Sequence, residues 1–241
     1  MPKTIILLPT YNERENVLRI IPEIFQTDAR LGILVIDDNS PDGTAEVIRS
    51  LMTQYPNLRL LSRPEKEGLG EAYKAGIAQV LADSSIERII TMDADGSHAV
   101  EYLPALISAS ETYDMVIGSR YVLGGGIENW ERWRYALSQG GNWYTRTIIG
   151  LPIKDITAGF VCYRTDILRR VDFSRVKASG YAFQMELKFC IAYTLGGSVA
   201  EIPIVFRARR EGESKISRHI ITEGLKTPWR LFYRKWINYE H

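Results

Sequence analysis

Residues 4–38 read TIILLPTYNERENVLRIIPEIFQTDARLGILVIDD, and this stretch decides the fold. It contains two short apolar runs, at residues 4–8 and 33–36, both rich in β-branched side chains. Between the runs, apolar side chains recur at helical spacing, at Val17, Ile20, Ile21 and Ile24. This order of strand, helix and strand predicts neighbouring buried strands with a helix packed across them.

The same alternation continues to about residue 120. Further apolar runs occupy residues 58–61, 89–92 and 115–117, and segments of helical spacing lie near residues 47–51 and 72–81. Strands that alternate with helices predict an α/β, Rossmann-like fold, in which a mainly parallel sheet is covered on both faces. Ligands of such sheets bind beyond the carboxyl ends of the strands, so the residues after each run are the first candidates for chemistry.

The second half of the chain is less regular. Three glycines at 124–126 precede an aromatic and basic stretch that includes Trp130, Arg132 and Arg134. Beyond it, the pattern predicts a helix around residues 183–193, a strand at 199–206 and a final helix from about Ser217. We therefore expect one catalytic domain over residues 1–215, followed by a helical segment over 216–241.

Composition excludes several classes of protein. The 241 residues carry 30 Lys and Arg against 29 Asp and Glu, which gives no sign of a nucleic-acid-binding chain. Cys162 and Cys190 are far apart and match neither a zinc site nor a disulfide framework, so both are expected to be buried apolar residues. No signal-peptide pattern and no membrane-spanning apolar run is present, which predicts a cytoplasmic or peripheral protein.

Asp93-Ala94-Asp95 is the clearest candidate for chemistry, and we call it the acidic turn. Two carboxylates one residue apart at a strand end can share a hard cation, and Mg²⁺ or Mn²⁺ fits oxygen ligands best. Such an ion would neutralise the diphosphate of a nucleotide donor. The alternative is a solvated turn or helix cap formed by Asp95 or Ser97.

Two other strand ends carry polar groups. Asp37 and Asp38 follow the second strand, and since Ser40 or Asp42 suits a capping role, Asp38 is the better candidate for contacting a base or ribose. Residues 9–13, PTYNE, offer a ring, an amide and a carboxylate that could stack on and bind a nucleobase, although a plain turn would also explain them.

A basic run lies near the end of the chain. Cations and a hydroxyl occur together on a glycine-containing segment at Arg207, Arg209, Arg210, Ser214 and Lys215. This composition suits the binding of phosphate oxygens, and a solvated loop is the alternative.

Taken together, these motifs identify a family by resemblance. Residues 8–13 (LPTYNE), 35–44 (VIDDNSPDGT) and 92–98 (MDADGSH) resemble family-two glycosyltransferases, in the same order. Further motifs look like those of bacterial polyprenol-phosphate (dolichol-phosphate) mannose synthases: 118–121 (GSRY), 155–160 (DITAGF), 180–186 (GYAFQME) and 212–215 (GESK). The resemblance covers nearly the whole chain and implies a GT-A-type sheet with an irregular acceptor-side half.

The resemblance also implies an activity and a set of site residues. The family transfers mannose from GDP-mannose to a polyprenyl phosphate, with inversion and with Mg²⁺ or Mn²⁺. Contacts to guanosine would come from Pro9, Tyr11, Glu13, Ile36 and Asp38. Contacts to ribose, diphosphate and metal would come from Asp93, Ala94 and Asp95. Ser97 would be a third metal ligand, where some members carry a longer side-chain amide.

Cations would complete the site that the resemblance implies. Arg120, Arg209 and Lys215 would bind the donor diphosphate and the acceptor phosphate and, with Asp95, form the catalytic set. The acceptor phosphate would contact Ser214 and one arginine of the aromatic stretch, Arg132 or Arg134, of which we take Arg134.

The expected chemistry agrees with a site poor in general bases. Transfer to a sugar hydroxyl needs a base, and the sequence shows no obvious one beyond the acidic turn. A phosphate acceptor is already largely anionic at neutral pH, so it needs positioning by cations more than deprotonation. Two rival hypotheses remain: a related enzyme using UDP-glucose or another donor, and a non-catalytic nucleotide-binding module.

The end of the chain is expected to meet the lipid. Aromatic and apolar side chains alternate with Lys226, Arg230, Arg234 and Lys235 between residues 220 and 239. This composition suits a helix lying in a membrane interface, and a helix packed on the catalytic core or on a separate membrane-anchoring protein is the alternative. The expected location is cytoplasmic, peripheral on the inner face of the membrane.

Overall fold

A computed structural model of the protein describes residues 2–178, 180–207 and 218–237. Its strands are β1 (Thr4–Thr10), β2 (Gly32–Asp37), β3 (Leu58–Ser62), β4 (Arg88–Thr91), β5 (Met115–Ser119), β6 (Gly126–Glu128), β7 (Val161–Arg164), β8 (Val199–Pro203) and β9 (Val205–Arg207). Its α-helices are α1 (Arg14–Thr27), α2 (Thr44–Leu51), α3 (Leu69–Leu81), α4 (Leu103–Ala109), α5 (Arg132–Ile149), α6 (Thr165–Arg169), α7 (Gly180–Phe189) and α8 (Arg218–Ile237).

Seven strands form the main sheet, in the order β3-β2-β1-β4-β7-β5-β8. The first four run parallel to one another, β8 is parallel to β5, and β7 is antiparallel to both of its neighbours, β4 and β5. The prediction of a mainly parallel sheet flanked by helices is confirmed. The antiparallel strand β7 was not predicted.

Helices cover both faces of the sheet because the strands are apolar on both faces. On one face, Leu7 and Ile36 pack under Ile77 of α3. On the other, Ile6 belongs to the cluster that contains Ile20 of α1. The central strands β1, β2 and β4 are thereby shielded, and their polar side chains lie at the strand ends.

Three elements differ from the sequence-based expectation. The aromatic and basic stretch forms the long helix α5, which was not predicted. The helix expected at 183–193 is α7 followed by a π-helical turn at Cys190–Thr194. The strand expected at 199–206 is wrong as one element, because it breaks at Ile204, after Pro203, which has no N–H to donate. Beyond the break, β9 pairs with β6 in a separate small sheet.

Both cysteines are buried and unbridged, as expected. Burial raises the pKa of Cys162 to about 12, so its thiol stays protonated at neutral pH. Among the helices within the described ranges, none combines the length and the apolar character that crossing a bilayer requires.

Candidate active site

The loops after β1 and β2 are joined to each other by hydrogen bonds. The main-chain N–H of Asn12 donates to Ser40 Oγ at 3.0 Å, and that of Glu13 donates to Thr44 Oγ1 at 3.2 Å. Asn12 adopts φ of 60°, a left-handed conformation that asparagine tolerates better than most residues. The two loops that were expected to hold a nucleoside therefore form one surface at the carboxyl edge of the sheet.

The neighbouring carboxylates of Asp37 and Asp38 have different roles. Asp37 accepts hydrogen bonds from Ser40 and from Thr10 Oγ1, so it builds the loop. Asp38 forms a buried ion pair with Arg63, with 2.6 Å between Oδ1 and Nη1. Burial raises the pKa of Asp38 above its ordinary value, and the positive charge of Arg63 opposes that rise. Asp38 thus remains the candidate ligand of the pair, and Arg63 orients it.

Other predicted nucleoside contacts lie beside this ion pair. Pro9 and Tyr11 are half-buried at the end of β1, and Lys66 Nζ lies 3.6 Å from the centre of the Tyr11 ring. Glu13 Oε2 accepts a hydrogen bond of 2.6 Å from Asn16. Ile36 differs, because its side chain is fully buried against α3. A contact from Ile36 to a ligand would have to come from its main chain.

The acidic turn is well ordered by local hydrogen bonds. The N–H of Asp93 donates to His98 Nδ1 at 3.1 Å, and the His98 ring stacks on Phe160. Asp95 Oδ1 accepts from the N–H of Ser97 at 3.0 Å, so Asp95 does form a turn, as the structural alternative proposed. A carboxylate has several lone pairs, and turn formation through one oxygen leaves metal binding possible. Ala94 is almost fully buried beside these groups.

The acidic turn, together with the neighbouring Ser97, offers the ligands that suit a hard divalent cation. Asp93, Asp95 and Ser97 all offer oxygen, the donor atom that Mg²⁺ and Mn²⁺ prefer. Ser97 Oγ is buried and has no hydrogen-bond partner among the described residues, which is unusual for a buried hydroxyl. The described residues contain no cluster of three or more His, Cys, Asp and Glu side chains arranged for a metal. The remaining coordination positions would therefore fall to a bound diphosphate or water.

Arg120 lies in a buried ion pair at the end of β5. Its Nη2 and Nε donate to the two carboxylate oxygens of Asp155 at 2.6 and 2.7 Å, and Asp155 has no exposed surface. Nη2 also donates to Thr157 Oγ1 at 3.0 Å. The guanidinium is held rigidly by residues 155–157, and any contact with a diphosphate would be made from this fixed position.

Of the remaining predicted phosphate ligands, one lies within the described residues and three lie outside them. Arg134 lies on α5, half-buried, with its guanidinium 5.0 Å from the Trp130 ring. Arg209, Ser214 and Lys215 lie outside the described residues, as does the predicted boundary at 215–216.

Sequence reasoning missed several residues that shape the site. Arg63 follows β3, so the rule that selects strand ends could have found it. Asp155 belongs to the quoted motif at 155–160 without having been given a role. Arg19 of α1, whose guanidinium lies against Gly96, and Lys188 of α7, whose amine donates to the carbonyls of Ile156 and Ala158, lie inside helices, where nothing in the sequence marks them.

Comparisons with known proteins agree with this geometry. Residues 5–175 match the family described as Glycosyl transferase family 2. Undecaprenyl-phosphate mannosyltransferase of Micrococcus luteus is 40% identical over 234 residues, covering 96% of each chain. Polyprenol monophosphomannose synthase of Mycolicibacterium smegmatis is 42% identical over 229 residues, covering 92% of this chain and 84% of that protein.

Solved structures share the fold at lower identity. Glucosyl-3-phosphoglycerate synthase from Mycobacterium tuberculosis, in complex with phosphoglyceric acid, superposes with a TM-score of 0.70 at 19% identity, covering 95% of this chain and 80% of that one. A mannosyltransferase from Pyrobaculum calidifontis, in complex with GDP-Man and Mn²⁺, gives a TM-score of 0.61 at 17% identity, covering 98% and 64%. At these identities the likeness shows the fold alone.

Proposed function

Since the chain belongs to glycosyl transferase family 2, we propose that it transfers mannose from GDP-mannose to a polyprenyl phosphate, with Mg²⁺ or Mn²⁺. The observation that carries the proposal is that two relatives, each aligned over more than nine-tenths of this chain, are named for mannosyl transfer to such lipids. The donor and the metal are further supported by the bound GDP-Man and Mn²⁺ of the Pyrobaculum calidifontis structure.

In the proposed donor site, the joined loops after β1 and β2 hold guanosine. Asp38, oriented by Arg63, suits the hydrogen bonding of a base or ribose, and Tyr11 offers a ring for stacking. Asp93 and Asp95 hold the metal, which when bound neutralises charge that develops on the leaving diphosphate. Arg120, fixed by Asp155, adds a positive charge whose position does not need to change during the reaction.

The acceptor phosphate supplies its own nucleophile. One of its oxygens forms a bond to the anomeric carbon of mannose, and the bond from that carbon to the β-phosphate oxygen of GDP breaks, with inversion. The acceptor is already anionic, so no general base is needed. We assign its positioning to Arg134 and to Ser214, and we assign Arg209 and Lys215 to the phosphates of donor and acceptor.

The decisive assay offers GDP-mannose and UDP-glucose in separate reactions, each with a short polyprenyl phosphate and Mn²⁺ or Mg²⁺. We expect a glycolipid in the organic phase from GDP-mannose only, no product after chelation, and at least a 100-fold loss with Asp95→Asn. Product from UDP-glucose alone would favour the rival donor. No product from either sugar, together with no metal-dependent nucleotide binding, would favour a non-catalytic module.

We also propose that the enzyme works at the inner membrane surface, on the face made by α5 and α8. The helix α8 packs on α5 and α7 through buried Leu231, so part of this helix belongs to the protein core. The large apolar side chains that α5 and α8 expose are Trp133, Tyr135, Leu137, Trp143, Leu225, Trp229 and Tyr233. Elsewhere in the described chain, exposed side chains of this kind are few and scattered. Aromatic side chains beside Lys and Arg suit a lipid interface.

Liposome flotation tests this location. A variant combining Trp133→Ser, Trp143→Ser and Tyr233→Ser should lose binding to vesicles containing anionic lipid. The matched control, Leu18→Ser with Met52→Ser, removes exposed apolar side chains elsewhere and should float like the wild type. Equal flotation of both variants would contradict the assignment of this face. A requirement for a separate membrane-anchoring protein would appear as absence of flotation in the wild type.

A further inference from the structure

Lys188 is a fully buried lysine on α7 that the proposed reaction does not use. Its Nζ donates to the carbonyl oxygens of Ile156 at 3.0 Å and Ala158 at 2.5 Å. Among the described residues, Lys188 forms no salt bridge; the negative charges of Asp155, which pairs with Arg120, and of Glu201 act on its amine from further away. Burial without an ion pair is costly for a lysine, and an apolar side chain of similar length would fill the same space without that cost. The two hydrogen bonds are therefore the feature that distinguishes lysine from an apolar residue here.

The acceptors of Lys188 belong to a loop that touches two parts of the site. At one end of this loop, residues 155–159, Asp155 binds the guanidinium of Arg120. At the other end, Gly159 faces Asp93, such that a Cβ added at Gly159 would lie 3.8 Å from the nearer carboxylate oxygen. The loop thus binds a predicted cation at one end and adjoins a predicted metal ligand at the other.

The ends of the loop and Thr157 at its middle have anchors of their own, and Lys188 holds the carbonyls of the two residues that flank Thr157. Glu201 accepts the N–H of Asp155 at 2.9 Å, and the carbonyl of Gly159 accepts a hydrogen bond of 2.7 Å from Thr91 Oγ1. Between these points, the N–H of Thr157 donates to Asn142 Oδ1 of α5 at 3.1 Å, and the carbonyls on either side of Thr157 accept from Lys188 on α7. One amine joins them, and it has enough N–H groups to serve both whether charged or neutral.

We propose that Lys188 is a positioning residue: it fixes the 155–159 loop from the side of α7 and thereby sets the spacing of Arg120 and Asp93. The expected effect of Lys188 on the reaction rate rests on the proposed mannosyl transfer. Its expected effect on the order of the loop does not. A displacement of about 1 Å in a site of this kind lowers the rate by up to about 100-fold.

The test compares Lys188→Met, which keeps the length of the side chain, with Leu187→Ala, which loses core packing on the same helix. Hydrogen exchange of a peptide spanning residues 153–161 reports on the loop without any reference to activity. We expect faster exchange in Lys188→Met and wild-type exchange in Leu187→Ala at a temperature well below both melting transitions. Wild-type exchange in Lys188→Met overturns the proposal.

Kinetics provide the second readout. We expect Lys188→Met to lower kcat 10- to 100-fold with a smaller change in KM for the donor, and Leu187→Ala to leave both within about twofold. Equal kinetic losses in the two variants would mean that Lys188 acts only through stability. If the wild type forms no product, the proposed function fails, and hydrogen exchange alone decides the role of Lys188. Lys188→Gln replaces Lys188→Met if the latter does not fold.

Discussion

Glu186 joins three parts of the protein through a single buried carboxylate. One oxygen accepts the N–H groups of Lys177 and Ala178, at 3.1 and 2.8 Å, and also Arg230 Nη2 at 3.0 Å. The other oxygen accepts Arg234 Nη1 at 2.6 Å. The carboxylate thus connects α7, the segment before it and the terminal helix α8. We predict that Glu186→Ala loosens α8 and destabilises the whole catalytic domain.

The magnitude follows from what each partner loses. The buried N–H of Ala178 is left without an acceptor, which costs about 1–3 kcal/mol. Lys177 is exposed, so water can replace the lost bond to its N–H at smaller cost. The side chains of Arg230 and Arg234 are 43% and 26% exposed, so each ion pair contributes at most about 1 kcal/mol. The sum is roughly 1–5 kcal/mol, or a melting temperature lowered by roughly 2–20 °C in a chain of this length.

Urea unfolding and limited proteolysis measure the effect. We expect a single transition with a lower midpoint in Glu186→Ala, and faster cleavage between the catalytic domain and α8. The matched control is Glu111→Ala, which removes an exposed glutamate from the surface after α4 and should stay within about 0.5 kcal/mol of the wild type. Loss of less than about 1 kcal/mol in Glu186→Ala, or release of α8 with unchanged stability of the remainder, would refute the reasoning.

Three further predictions concern the acidic turn and Lys188. Gly96→Ala should cost roughly 1–2 kcal/mol in urea unfolding, because φ is 76° at Gly96 and a Cβ there would lie 2.9 Å from Arg19 Nη2. Wild-type stability would contradict this. Ser97→Ala should leave stability within about 0.5 kcal/mol but weaken Mn²⁺-dependent GDP binding in calorimetry, and unchanged binding would remove Ser97 from the metal ligands. Burial lowers the pKa of Lys188 to about 7 from 10.5, so between these values the unfolded chain binds a proton that the folded chain does not. The free energy of unfolding of the wild type should therefore rise relative to Lys188→Met by up to about 1.4 kcal/mol per pH unit across this window, and parallel pH profiles would contradict the shift.

The first four strands could be predicted because their apolar runs are bounded by turn residues and separated by helices of clear periodicity. The direction of β7 could not, because a strand of four residues, three of them buried, carries no information about which way it lies in a sheet. Helix α5 was missed for a different reason. Several of its large apolar side chains are exposed and it contains Gly140 and Gly141, so it lacks the apolar stripe of a core helix.

The candidate site likewise contains residues that the sequence could predict and contacts that it could not. Strand ends marked Asp38 and the acidic turn, because chain position alone places such residues at the carboxyl edge of the sheet. The same rule could also have selected Arg63, but it predicts neither the pairing of Arg63 with Asp38 nor the contact of Lys188 with the 155–159 loop. Arg63 lies 25 residues from Asp38, and Lys188 reaches a loop about 30 residues away, so both contacts depend on packing that only the folded structure supplies.

The insertion of β7 between β4 and β5 has a consequence for the order in which the enzyme can become functional during its synthesis. Strands β1 to β4 are neighbours in the sheet, and the last of them to be synthesised ends at Thr91. The residues of the proposed nucleoside surface beside these strands all precede Thr91 in the chain. Gly159, which faces the proposed metal ligand Asp93, and Phe160, which stacks on His98, are synthesised some 65 residues after Asp93. In a nascent chain, the residues proposed to hold the nucleoside are therefore all present well before those that lie beside the proposed metal ligands, so the proposed donor-binding part is complete before the proposed reacting part.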